Sequence, residues 1–246
     1  MFSFFFRKKN EVETLNPPIT ADMHSHLLPG IDDGAANMEE TLQLIEAFMQ
    51  NGYKHLITTP HVIDDFYKNT PEIILRKLAE VRQAVAAKGW DIKIDAAAEY
   101  LIDEFFLEKL NNNVPFLSFG ANKYVLIETP FMNEPMYLKD VIFKLQSAGY
   151  WPVFAHPERY TYLCNDFKRA KEIFNTGVLF QVNLPSLAGY YSRPIQQLAE
   201  RLVDENMVHF VGSDCHKMKH IDALEQTKRT KHYKKLLEMP LLNHSL

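Results

Sequence analysis

The sequence predicts an α/β fold in a single domain, a barrel of seven strand-and-helix units, on three observations. First, an amphipathic stretch runs four times into a glycine and then into an apolar, β-rich run: "MQNGYKHLITTPH", "AAKGWDIKIDAAAEY", "QSAGYWPVFAHPER" and "FNTGVLFQVN". Glycine directly after a helix supplies the left-handed residue that ends it, and the run behind it reads as a strand. Second, "ITADMHSH", "KYVLIETP" and "MVHFVGSDCH" bring the strands to seven. Third, helical patterns separate most of them, and that alternation implies parallel pairing through right-handed crossovers. The series has no obvious topological break, which favours a closed or nearly closed barrel over an open doubly wound sheet. A length of 246 residues suits one such domain. The expected division is a flexible segment at 1–18 and one domain at 19–246.

Taken in order, the first helix starts at Asn37, with Glu40 three residues on in a capping-box arrangement, and its apolar face carries Leu42, Ile45, Phe48 and Met49. The second opens at Thr70-Pro71, proline being tolerated in a first turn, and presents Ile74, Leu78, Val81 and Val85. Further helices are expected near 135–148, 166–176, 194–206 and 221–236, with the asparagines at 111–113 in a loop.

Composition excludes several classes. Hydrophobic residues make up 46 % and charged ones 24 %, as in a globular protein with a sizeable core. A net charge of −4 provides no overall basic field for nucleic acid, and the lysines and arginines between Lys217 and Lys235 read as a solvated helix face. Two cysteines, Cys164 and Cys215, are too few for a disulfide scaffold and fit a cytoplasmic location. No apolar stretch is long enough to span a membrane. The opening "MFSFFFRKK" is too short for a signal-peptide core and reads as a loose terminus, with weak membrane-surface contact as the alternative.

Metal-ligand residue types then recur at one place, the C-terminal end of strand after strand. They are His24 and His26, His61, Glu99, Glu128, His156, and Asp214 with His216; the loop after the first strand adds Asp33 or its neighbour Asp32. In a parallel barrel these ends share one rim, where the fold builds its sites. The period of two puts His24 with His26, and Asp214 with His216, on one strand face. Five imidazoles and four carboxylates on one rim would repel or stay unpaired without cations among them. Nitrogen and oxygen donors without thiolate suit Mn²⁺, Fe or Zn²⁺. The number of donors implies two or three divalent ions, with Glu99 a candidate bridge. Such ions clamp phosphoryl groups and acidify water. His55 and His209 fall inside strand runs and read as core histidines. Cys215 has the opposite parity to its ligand neighbours and reads as packed core. Neither cysteine has the C-x₅-R spacing of a thiol phosphatase.

"DMHSHLLPGIDDG", "TTPH", "AAEY", "IETP", "AHPERY" and "GSDCH", in that order over nearly the whole chain, resemble the PHP (polymerase and histidinol phosphatase) superfamily, and within it the bacterial protein-tyrosine phosphatases of capsule and exopolysaccharide synthesis. The resemblance implies a distorted (β/α)₇ barrel with three ions. One would be held by His24, His26, Glu99 and Asp214, a second by Glu99, Glu128 and His156, and a third by Asp33, His61 and His216. It implies hydrolysis of phosphotyrosine by a metal-activated hydroxide, with Mn²⁺ the first candidate metal and a bacterial tyrosine kinase the expected partner. Arg159 matches a family arginine that grips the substrate phosphate, a role its planar fork suits; a surface ion pair with Glu158 is the plainer reading. Relatives carry a second arginine after "SD-x-H", where this chain reads "KMKHIDAL". Lys217, Lys219 or His220 are left to supply that charge, without the bidentate fork. The leaving-group acid is open between His216 and a metal-bound water, with Asp214 counted in the catalytic group. The competing readings are a small-molecule phosphatase such as one for histidinol phosphate, a phosphodiesterase or nuclease, which the charge balance disfavours, and a metal-binding module that no longer turns over.

Overall fold

The computed structural model describes residues 18–246, so the expectations for the aromatic N-terminus lie outside the described residues. The order is β1 (Ala21–Asp22), α1 (Met38–Gln50), β2 (His55–Thr58), β3 (His61–Val62), α2 (Pro71–Ala87), β4 (Lys93–Ala96), β5 (Glu99–Leu101), α3 (Glu104–Asn111), β6 (Tyr124–Glu128), α4 (Leu138–Ser147) and β7 (Trp151–Ala155). It continues through a 3₁₀ turn (Pro157–Arg159), α5 (Thr161–Cys164), α6 (Phe167–Phe174), β8 (Leu179–Asn183), α7 (Leu184–Leu187), α8 (Arg193–Asp204), β9 (Phe210–Gly212), α9 (Met218–Thr227) and α10 (Lys231–Leu236).

Every pairing between these strands is parallel, but they form two sheets, β1-β2-β4 and β3-β5-β6-β7-β8-β9. Two of the expected strands are interrupted, at Thr59-Pro60 between β2 and β3 and at Ala97-Ala98 between β4 and β5. Hydrogen bonding carries across both breaks, from Ala97 N to Thr58 O and from Glu99 N to Pro60 O. The split has a consequence at the strand starts, where β4 does not pair with β6. A cavity of about 480 Å³ lies there, lined by His55, Asp95, Phe119 and Leu246 among others.

The outermost strands, β1 and β9, meet through single contacts rather than a ladder. Ser25 and Cys215 form an isolated parallel bridge, with Asp214 N donating to His24 O at 2.8 Å and His26 N to Cys215 O at 2.9 Å. Side chains complete the seam. Asn243 donates to Ala21 O and Val211 O and accepts from Val211 N; the Asp22 carboxylate accepts from Ser213 N and Oγ.

Strand alternation sorts the core into two clusters. Met23, Ile57, Leu126, Val153 and Phe210 belong to a small one, while Val125, Ile127, Phe154 and Val211 join the larger one packed under the helices. This is the period of two in a sheet with both faces covered. Asn37 accepts from Glu40 N, and Thr70 from Ile73 N, capping the two helices at the expected places. On α1 Leu44 is buried where Leu42 and Met49 are only half-buried. The stretch expected as one helix at 221–236 is two, because Thr230 caps a new start by accepting from Tyr233 N. Helix α3, which had not been expected, is capped by Asp103 and buries Phe106 and Leu110. His55 contacts Asp95 at 2.8 Å, and His209 Nδ1 accepts from Phe180 N, so both are bonded within the strand layer. The two cysteines are free, and Cys215 is fully buried.

Candidate metal centre

Parallel strands deliver their C-terminal ends to one side, and all nine predicted donors meet there; His61 and Glu99, expected to end strands, instead open β3 and β5, the second segments of the two interrupted strands. Four overlapping groups each bring their donor atoms within 4.8 Å of one another: His26, Asp33, His61 and His216; His24, His26 and Glu99; His24, His156 and Asp214; His61, Glu99 and Glu128. Glu99 stands at the middle. Its Oε2 is 3.2 Å from His24 Nε2, 3.4 Å from His26 Nε2 and 3.1 Å from His61 Nδ1, and its Oε1 is 3.0 Å from His156 Nε2. The grouping differs in detail from the one the resemblance implies. His156 falls with His24 and Asp214 as well as beside Glu99, and His61 faces both Glu128, at 3.0 Å, and Asp33, at 3.6 Å.

Backbone shape matters at two of these positions. His156 (φ +33°) and Asp214 (φ +50°) both take the left-handed conformation, which costs a non-glycine residue of order 1–3 kcal/mol. Each is the residue that turns a donor inward at a strand end. Two glycines make room. A Cβ on Gly34 would stand 2.1 Å from His26 O, and one on Gly212 2.7 Å from His24 Cβ.

The adjacent aspartates divide the work. Asp32 Oδ2 accepts from His26 Nδ1 at 2.8 Å and from His61 N, while its Oδ1 accepts from Gly34 N. Asp33 instead faces His61 and His216, with Oδ1 at 3.6 and 3.4 Å from their Nε2 atoms. Gln181 Oε1 accepts from His24 Nδ1 at 2.8 Å, and Gln181 Nε2 donates to Asn183 Oδ1. His216 Nδ1 donates to Asp214 O. Such bonds fix the tautomer so that the other ring nitrogen presents a lone pair inward. Asp32, Gln181 and Asn183 were not singled out from the sequence as orienting groups. The signal for the last two was present, since they alternate with Val182 in "FQVN" and share one face at the end of β8.

The polar atoms turned into this space fit a cation. Glu99 Oε2 and Glu128 Oε1 lie 3.1 and 3.0 Å from His61 Nδ1, yet all three atoms are buried without a hydrogen bond of good geometry among the described residues, an arrangement that is costly unless a charged group sits among them. His24 Nε2 and His26 Nε2 face each other at 3.4 Å. Burial alone would push both imidazoles down, yet Glu99 and Asp214 beside His24, and Asp32 beside His26, overcome it and hold both raised. His61 is raised to about 9, burial again being outweighed by Glu99 and Glu128. Burial would likewise raise Glu99 and Asp214, but the surrounding cationic groups hold both well below the usual carboxylate range. The cluster thus demands positive charge that protons or metal ions can supply.

Arg159 lies at the edge of the cluster on the 3₁₀ turn. Its Nη1 donates to Asp214 Oδ2 at 2.6 Å, and the guanidinium packs against the rings of Phe131 and Tyr191, 4.7 and 4.6 Å from their centroids. Asn183 Nδ2 also donates to Asp214 Oδ2, at 2.8 Å, and the Tyr191 hydroxyl is 3.4 Å from it. Glu158 is not Arg159's surface partner. It is fully buried and accepts from Asn183 N and Ser186 Oγ. Lys217 Nζ donates to Gly34 O and pairs with Glu40 at 3.3 Å, whereas Lys219 is exposed with its Nζ 5.8 Å from the centre of the Tyr190 ring. Both lysines line a shallow cavity of about 250 Å³ shared with Asp33, Arg159, Asp214 and His216. A second cavity, of about 330 Å³, opens on the other side of Arg159 and reaches His61 and Glu128.

Comparison with known proteins places this geometry. Residues 20–237 match the family model for capsular polysaccharide synthesis proteins CpsB/CapC. The chain is 31 % identical over 198 residues to the tyrosine-protein phosphatase YwqE of Bacillus subtilis, covering 80 % of this chain and 78 % of that one. It is 30 % identical over 203 residues to the tyrosine-protein phosphatase CpsB of Streptococcus agalactiae, covering 80 % and 83 %. A solved structure from work on YwqE from Bacillus subtilis and CpsB from Streptococcus pneumoniae, described as unique metal-dependent tyrosine phosphatases, matches with a TM-score of 0.79 at 28 % identity over 91 % of this chain and 94 % of that chain. An amidohydrolase from Mycoplasma synoviae shares the fold alone, with a TM-score of 0.51 at 13 % identity over 93 % and 88 %. With the family model spanning nearly all of the described chain, and relatives alike along most of their own length, this protein belongs to the CpsB/CapC family.

Proposed function

We propose that this protein is a metal-dependent phosphotyrosine phosphatase acting on protein substrates, with a bacterial tyrosine kinase of capsule or exopolysaccharide synthesis as partner and a cytoplasmic location. The observation that carries the reading is the convergence of five histidines and four carboxylates, several with unpartnered inward atoms, beside a clamped arginine. Among the described residues no helix is long and apolar enough to cross a membrane. We read the two sheets as a distorted seven-unit barrel, supported by the β1–β9 contacts and the small cluster enclosed by the strands.

His24, His26, Asp33, His61, Glu99, Glu128, His156, Asp214 and His216 would hold two or three divalent ions, Mn²⁺ first, with Fe or Zn²⁺ as alternatives, because the donors are nitrogen and oxygen. When bound, such ions supply Lewis acidity toward phosphoryl oxygens and lower the pKa of water. The chain's own residues do the rest. Arg159 uses one Nη to hold Asp214, and its remaining N–H groups bond nothing else among the described residues. They are therefore available to two phosphate oxygens, where they stabilise charge that grows in the transition state. Lys219, and Lys217 less directly, raise the positive potential over the same cavity. His216 turns Nε2 toward Asp33 and the cavity, where it can hold an ion or deliver a proton to the leaving oxygen. A phenol leaving group, with a pKa near 10, needs less help from an acid than an alcohol does.

The test is a side-by-side assay of the metal-reconstituted protein on a phosphotyrosine peptide, a phosphoserine peptide and histidinol phosphate. The reading predicts clear preference for the first, and loss of turnover by at least about 100-fold in His156→Ala with the fold retained. Preference for histidinol phosphate would replace the substrate, and inertness with ions bound would favour a non-catalytic metal-binding module.

A further inference from the structure

The cavity beside the donor cluster is lined by two chemically different sets of side chains. His61, Glu128, Asp214 and Arg159 are polar; Ile63, Phe66, Tyr67 and Phe131 are apolar or aromatic, with Tyr67 stacked on His61 and Phe131 against Arg159. Three of the apolar residues, Ile63, Phe66 and Tyr67, sit in one tight hairpin. Ile63 N donates to Tyr67 O, Tyr67 N to Ile63 O, and Phe66 N to Ile63 O. Tyr67 stacks on His61 with ring centres 5.7 Å apart, and Asp64 N donates to Asp103 at the start of α3. The hairpin is therefore anchored at both sides, and it holds Phe66 out at its tip, 77 % exposed. Phe131, which lines the same cavity, is 40 % exposed. A single exposed ring is ordinary; large apolar side chains gathered at the mouth of a charged cavity mark a contact surface.

The position of Phe66 fixes what it can touch. An aryl phosphate reaching from Arg159 toward the mouth would set its ring against Ile63, Tyr67 and Phe131, deeper than Phe66. A small ester ends there. A peptide continues, and its next residue lies only about 3.8 Å further along the chain, opposite the exposed ring. We propose that Phe66 is a specificity-determining residue that receives an apolar side chain adjacent to the phosphotyrosine of a protein substrate. This rests on the phosphotyrosine reading above and names a feature of the substrate that the reading leaves open.

The test uses the full-length, metal-loaded protein with three probes: p-nitrophenyl phosphate, and two phosphotyrosine peptides that differ only in carrying leucine or glycine next to the phosphotyrosine, on each side in turn. Wild type is expected to favour leucine on one side by about tenfold in kcat/KM, the scale of one partly buried apolar side chain. Phe66→Ala should erase that preference while p-nitrophenyl phosphate turns over as before, and Phe66→Leu should restore most of it. An active wild type without leucine preference overturns the inference, as does a Phe66→Ala variant that keeps the preference or slows all three probes alike. A wild type inert toward every probe removes the phosphatase reading, and this inference with it.

Discussion

At the residue scale the site depends on side chains that hold other side chains. The Tyr191 and Phe131 rings both pack against the Arg159 guanidinium, 4.6 and 4.7 Å from centroid to Cζ, so the fork is restricted before substrate arrives. In the proposed reading this restriction lowers the cost of ordering the fork when phosphate binds. Tyr191→Ala should raise KM for an aryl phosphate, and the inhibition constant for inorganic phosphate, by about tenfold, with a smaller change in kcat. Tyr191→Phe keeps the aromatic face and should stay near wild type. Steady-state kinetics with phosphate as inhibitor separate the two, and equal effects of both variants would contradict the clamp. The nine candidate donors that the structure brings together were legible in the sequence, because each combines a ligand residue type with the edge of a strand or, for Asp33, with the loop that follows one. The orienting groups were less so. Asp32 and Asp33 are adjacent in a turn with no periodicity to tell which faces inward, and only the fold shows Asp32 bonded to His26 while Asp33 faces His61 and His216.

At the element scale the alternation of strands and helices was legible, while the interruptions were not. Proline at position 60 breaks the ladder between β2 and β3, yet "ITTPH" reads as one apolar run because its side-chain pattern continues through the break. Helix α3 was missed because its buried face rests on few residues, Phe106 and Leu110, in a segment that runs into three asparagines. The strand layer also carries a titrating element away from the donors. Burial holds His209 below the usual imidazole value, and its Nδ1 accepts from Phe180 N at 3.1 Å. A group whose folded pKa is depressed contributes stability above its unfolded value, near 6.5, and that stability is lost as pH falls below it. Urea midpoints measured between pH 8 and pH 5 should therefore fall more steeply for wild type than for His209→Gln. Parallel curves would contradict the neutral, accepting His209.

At the scale of the whole molecule, one arrangement explains both fold and chemistry. Parallel strands direct every C-terminal end to one side, so residues far apart in the chain become neighbours. Asp22 to Ser213 and Asn243 to Ala21 fasten the first and last strands, which brings His24 and His26 against Asp214 and His216. A seven-fold alternation could be counted from the sequence. The division into two sheets, and the gap between β4 and β6 at the strand starts, could not, because pairing is set by where the strands kink. The most direct measurement is elemental analysis of the purified protein after incubation with Mn²⁺ and removal of free metal. Two to three equivalents per chain are expected, falling to fewer than one in a Glu99→Ala variant that still folds. A wild type that retains no divalent metal under these conditions would contradict the account.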